Sequence, residues 1–265
     1  MDLWWMVYLL MGLFVGFFAG LLGIGGGLML VTLMVYLFTL QGFPADRLLH
    51  LALGTSIASI VFTSLASLRA HQKHGAVRWD ILRAAVPGLV VGTLLGAVVA
   101  DQLKSKYLAI FFVIFVYYSA VQMFANVKPK PTRQLPDKPG MTVAALVIGI
   151  VSSLVGVGGG VMTIPFMSLC NVPMRQAIGT SAALGLPIAI AGTVGFIVTG
   201  LGKDHLPALS VGYVYLPALI GIVLGTFITV PWGARLTHRM PVSTLKKTFA
   251  VILFILATRM LWSLF

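Results

Sequence analysis

The chain has 265 residues, 59% of them hydrophobic and only 9% charged, with a mean hydropathy of +1.02. A water-soluble domain carries about 25% charged residues, so this chain has too little polar surface to coat itself in water. The net charge of +12 would suit nucleic acid in a soluble protein. Here the basic residues lie between apolar runs, where the positive-inside rule places them, and nucleic-acid binding is not expected.

The chain begins MDLWWMVYLL, without a basic leader before its first apolar run. A cleaved signal peptide is therefore not expected, and Trp4 and Trp5 read as an interfacial anchor. Apolar runs follow at about 3–22, 28–40, 51–68, 84–100, 107–125, 141–155, 161–170, 176–199, 208–230 and 248–265. Runs such as 107–125 approach the ~20 residues that a helix needs to cross a bilayer. Between them, residues 126–140 hold four prolines and five charges, which predicts a linker rather than a helix.

On either side of that linker the sequence repeats itself. Gly20-Leu-Leu-Gly23-Ile-Gly25-Gly-Gly27-Leu-Met29 returns as Ser153-Leu-Val-Gly156-Val-Gly158-Gly-Gly160-Val-Met162. Ala52-Leu-Gly54-Thr55-Ser56 returns as Ala177-Ile-Gly179-Thr180-Ser181, and Pro87, Gly92 and Gly96 as Pro217, Gly221 and Gly225. Ala120-Val-Gln-Met123 returns as Ala257-Thr-Arg-Met260. Four matches in one order predict two homologous membrane halves, 1–125 and 141–265, joined by a cytoplasmic linker at 126–140.

Each half then has one glycine-broken segment and three ordinary spans, an all-α integral membrane protein. If the broken segment crosses once, the halves are parallel and the 18 basic residues divide 10 to 8. If it enters and returns, the halves are inverted. Arg47, Lys104, Lys106, Lys203 and Arg259 then lie on one side and the other 13 on the opposite side. Only the inverted arrangement gives a distinct cytoplasmic face. It predicts an inner-membrane protein with both termini extracytoplasmic.

The glycine clusters carry the chemistry. A glycine inside a helix costs about 1 kcal/mol relative to alanine, so four together predict an unwound stretch, tolerated at membrane depth only inside protein or beside a cavity. The half-helices that follow would present free N–H groups and a positive dipole end to an anion. The expected binding residues are Gly25, Gly26, Gly27 and Leu28 in the first half, and Gly158, Gly159, Gly160 and Val161 in the second. The hydroxyls of Thr55, Ser56, Thr180 and Ser181 join them, although each could instead bond the preceding helical turn. Gly16 with Gly20, and Gly92 with Gly96, read as helix-packing positions. Asn171 and Arg175 are candidates for a cationic gate, or for a loop anchor.

Other chemistries find little support. The chain has no Glu, and its six Asp residues fall at termini, loops or span edges, which disfavours a cation carrier. The histidines His50, His71, His74, His205 and His238 sit near span ends or in loops, and the single cysteine, Cys170, has no thiol partner. No metal, no cofactor and no enzymatic constellation is expected.

The paired glycine motifs, each followed one span later by Gly-Thr-Ser, closely resemble the TauE/SafE family of sulfite exporters, from about Gly12 to Met260. The second half carries the more typical motif, GVGGGVMTIPFM with Pro165, where the first half has Thr32. The resemblance implies a permease exporting sulfite or a small organosulfonate. The implied partners are that anion and the lipid bilayer, with homo-oligomerisation left open. The alternatives are an anion channel, or a permease for another small oxyanion or organic anion, on the same scaffold.

Overall fold

The computed structural model describes residues 2–22, 26–125, 133–237 and 242–262. Five helices precede the linker: α1 (Asp2–Leu22), α2 (Gly27–Leu40), α3 (Leu48–Lys73), α4 (Trp79–Gln102) and α5 (Ser105–Phe124). Next come α6 (Lys138–Val155), α7 (Gly160–Leu169), α8 (Met174–Gly200), the strands β1 (Ser210–Val211) and β2 (Val214–Tyr215), α9 (Leu216–Thr237) and α10 (Val242–Trp262). Among the described residues, seven helices (α1, α3, α4, α5, α6, α8 and α9) are long and apolar enough to cross a bilayer, whereas α2 and α7 are shorter. Their outward faces are apolar as well, with Ile114, Val121, Val143 and Val198 more than half exposed, as lipid-facing surface requires. The protein is a multi-pass membrane protein.

Within each half the second helix folds back along the first. Tyr8 of α1 meets Phe38 near the end of α2, with ring centroids 6.4 Å apart, while Gly26, just before α2, packs on Val15 and Ala19 of α1. In the second half the Arg133 amide, just ahead of α6, donates to the Leu169 carbonyl at the end of α7 (3.1 Å). Helix α6 stops at Val155 and α7 starts at Gly160, so the polypeptide changes direction inside the glycine motif.

The first helix of each half packs on the fourth helix of the other. A Cβ on Gly12 or Gly20 of α1 would lie 2.5 or 2.2 Å from the Ile222 or Val230 carbonyl of α9. Likewise a Cβ on Gly88 or Gly92 of α4 would lie 2.0 or 2.1 Å from the Thr142 or Leu146 carbonyl of α6. The expected packing positions Gly16 and Gly96 belong to these same two seams. In the centre α3 and α8 cross antiparallel, Gly54 lying by Phe196, Gly192 by Ile57, and Gly185 by Ser64. The fifth helices also run antiparallel. The Tyr117 and Thr258 hydroxyls are 2.8 Å apart, and Lys247 sits over the Phe124 ring.

Two details depart from the expected plan. The apolar run at 208–230 does not begin as helix, because Leu209 and Gly212 adopt positive φ (67° and 54°) and turn the chain into the β1–β2 hairpin. A helix needs negative φ throughout, so α9 starts only at Leu216. Helix α6 also begins at Lys138, inside the segment expected to be a non-helical linker, because Asp137 caps it by accepting from the Gly140 amide and Pro139 falls in its first turn, where a missing N–H costs nothing.

Candidate functional site

The two glycine motifs meet in the interior. A Cβ on Gly27 would lie 2.8 Å from the Gly156 carbonyl oxygen and 3.3 Å from Val157 Cα. Ile60, in the middle of α3, touches both Gly27 and Gly158. Gly26 and Gly159 immediately precede α2 and α7 in the left-handed region, at φ 61° and 79°. An L-residue pays for that conformation in steric clash, so these two positions need glycine. Neither helix start has a side-chain cap, leaving its first N–H groups to the interior. Gly25 lies outside the described residues. Leu28 and Val161, the second residues of α2 and α7, are buried, as are Gly27 and Gly160.

The two Gly-Thr-Ser triplets divide their work. A Cβ on Gly54 would lie 2.4 Å from the Tyr213 carbonyl, and one on Gly179 2.6 Å from the Ala76 carbonyl. The Thr55 hydroxyl accepts from the Tyr215 amide (3.0 Å), and the Thr180 hydroxyl from the Arg78 amide (2.9 Å). Each Gly-Thr pair is thus a seat for the loop that leads into the fourth helix of the other half. The serines face the glycine breaks. Ser56 donates to the Gly156 carbonyl (3.1 Å), while Ser181 and Thr163 of α7 share a 2.6 Å hydrogen bond. The structure therefore brings Ser56 and Ser181 to the breaks and engages Thr55 and Thr180 with loop backbone.

Asn171 and Arg175 stand apart. Arg175 is exposed and its Nη2 donates to the His74 carbonyl after α3 (2.9 Å). It lies ten residues, or ~15 Å of helix rise, from Gly185, the α8 residue that approaches Gly158. Asn171 is exposed at φ 60° in the turn after α7. The geometry of Arg175 is that of a loop anchor.

A polar cluster that sequence reasoning passed over occupies the end of the molecule around the β1–β2 hairpin. Asp101, the penultimate residue of α4, pairs with Lys203 (2.9 Å) and accepts from the Tyr213 hydroxyl (2.6 Å). Arg47 Nη1 donates to the same Tyr213 oxygen (3.0 Å). His50 packs on the Tyr213 ring and donates from Nε2 to the Ala100 carbonyl (2.8 Å). Burial, with the Asp101 hydrogen bond and charge beside it, pushes the Tyr213 hydroxyl above the ordinary tyrosine range. Both Asp101 contacts and the Arg47–Tyr213 bond join one half of the chain to the other. Among the described residues, no group of three metal-ligating side chains is present.

Comparison with known proteins matches the sequence to membrane transporters. The profile of the family described as sulfite exporter TauE/SafE matches residues 8–260. A probable membrane transporter protein of Haemophilus influenzae is 38% identical, over 95% of this chain and 96% of its own length. The probable membrane transporter protein YunE of Bacillus subtilis is 24% identical, covering 97% of each chain. Another such protein, of Methanocaldococcus jannaschii, is 23% identical over 96% of this chain and 94% of its own. No solved structure matches the chain.

Proposed function

The chain belongs to the TauE/SafE sulfite exporter family of membrane transporters, and from that premise we propose that it exports a small anion, sulfite or an organosulfonate, by alternating access between two inverted repeats. The repeats are residues 1–125 and 141–265, with the 126–140 linker cytoplasmic and both termini on the outer side of the inner membrane. The antiparallel course of the equivalent helices α3 and α8, and of α5 and α10, supports the inversion. So does the exchange by which α1 packs on α9 and α6 on α4.

The observation that carries the reading is the meeting of the two helix breaks beside Ile60. Each helix start contributes a partial positive charge of about half a unit. Buried side by side, they offer an anion neutral donors and a favourable field without a cationic side chain. Rocking of one repeat against the other around that point would expose it to each face in turn.

The test is sulfite flux into proteoliposomes by the purified protein and by a Gly26→Leu/Gly159→Leu variant. Flux that collapses in the folded variant supports the site, and unchanged flux removes it. Currents far above carrier turnover would instead make the protein an anion channel.

A further inference from the structure

The two breaks share a left-handed glycine, Gly26 and Gly159, and among the described residues they differ in lining. Around Gly26 the nearest side chains are Val15 and Ala19, both apolar. Around Gly159 they are Ile188, Ser152 and Thr163, with Ser152 Oγ 3.6 Å from the position a Cβ would take. Thr163 donates to the Gly159 carbonyl (3.0 Å), and Ser181 can then donate to Thr163, so those two hydroxyls satisfy one another. Ser152 does not share in this. It is 3% exposed, and its buried hydroxyl has no hydrogen-bond partner. A buried hydroxyl with no partner costs about as much as a lost hydrogen bond, and this one lies against the uncapped start of α7.

Among the described residues, the charge available at the breaks is also limited. The closest neighbours of Gly26, Gly27, Gly156, Gly158 and Gly159 are apolar side chains, hydroxyls and backbone. Two helix starts of about half a positive charge each sum to about one. The cost of desolvating an ion rises with the square of its charge, so the breaks suit a single negative charge and not two.

We propose that the α7 break is the binding pole of the site, that it takes a singly charged oxyanion, and that the Ser152 hydroxyl is its side-chain ligand. This rests on the anion-transport reading above and adds the charge class of the substrate and the half of the chain that grips it. The Ser152 hydroxyl donates to one substrate oxygen while the first amides of α7 hold another.

Methanesulfonate and sulfate, one a monoanion and the other a dianion at neutral pH, serve as probes in proteoliposomes beside sulfite. Methanesulfonate should move at least tenfold faster than sulfate. Ser152→Ala and Ser152→Cys should each raise its KM by roughly tenfold, the effect of losing a hydrogen bond to a charged group. Ser153→Ala is the control. Ser153 is also buried and without a partner, but its Cβ faces Gly96 of α4 rather than the break, and its KM should stay at the wild-type value.

Sulfate moving as fast as methanesulfonate would overturn the charge class. A wild-type KM in both Ser152 variants, or equal rises in the Ser152 and Ser153 variants, would overturn the ligand while leaving anion transport standing. Failure of all three anions to move would remove the transport reading and this inference together.

Discussion

The Gly54–Thr55 seat and the Gly179–Thr180 seat hold their loops by the same two devices, yet among the described residues only one carries a charged network. At both, a glycine lets the loop carbonyl approach and a threonine hydroxyl accepts the amide two residues further on. At the Gly54 end, Asp101, Lys203, Tyr213 and Arg47 bind the two halves together, with the Asp101 side chain only 17% exposed. At the Gly179 end the ion pair is Arg78 with Asp80, two residues apart, and the Asp80 side chain is 61% exposed. A half-buried pair that joins distant segments resists separation, whereas an exposed local pair contributes little. The repeated motif gives both ends a seat, and the unrepeated side chains tie the two halves together at one of them.

Substitutions at each seat test that difference. The largest effect is expected from Gly54→Val and Gly179→Val, since each puts carbon inside the contact distance of a loop carbonyl. Both should lower stability by ~3 kcal/mol or more, read as loss of the monodisperse peak in detergent. A tolerated valine at either position would mean that the loop is not seated there. Next, Asp101→Asn should cost about 2 kcal/mol by leaving Lys203 without its counter-charge. Asp80→Asn should cost less than ~0.5 kcal/mol. Equal shifts in melting temperature would erase the distinction between the ends.

Thr55→Ala and Thr180→Ala should each cost about 1–2 kcal/mol, because each strands a loop amide. A marked difference between them would show that the seats are not equivalent. The smallest effect is in alkali. The raised Tyr213 hydroxyl means that the folded state holds this proton more tightly than the unfolded chain. Its contribution to stability is complete below about pH 10, the unfolded tyrosine value, and is lost as pH rises beyond it. Melting temperature should fall between about pH 10 and 11, and less so in Tyr213→Phe. An identical slope in that variant would discard the linkage.

Much of the fold was readable from the residues. The helix starts that follow Gly26 and Gly159 are where the glycine clusters place them, because the backbone needs of a helix break are local. The roles inside the Gly-Thr-Ser triplets were not readable. Nothing near Thr55 in the chain indicates that its hydroxyl will accept the Tyr215 amide, 160 residues later. Asp101 and Lys203, 102 residues apart, look like separate span-edge charges until α4 and the α8–α9 connection are brought together. Ser152 could have been noticed, since the second half has Ser152-Ser153 where the first has Ala19-Gly20. The repeat is carried by glycines, however, and a lone serine beside them has no period of its own.

Composition and repetition were enough to establish a helical membrane protein whose glycine motif occurs once in each half. Hydropathy and glycine content act over one helix length and need no partner to be read. Which hydroxyls face the breaks, which hold a loop and which end carries the ion network emerge only in the packed molecule. Those properties depend on pairs of atoms that the chain keeps far apart and that only the packing of one half against the other brings within bonding distance.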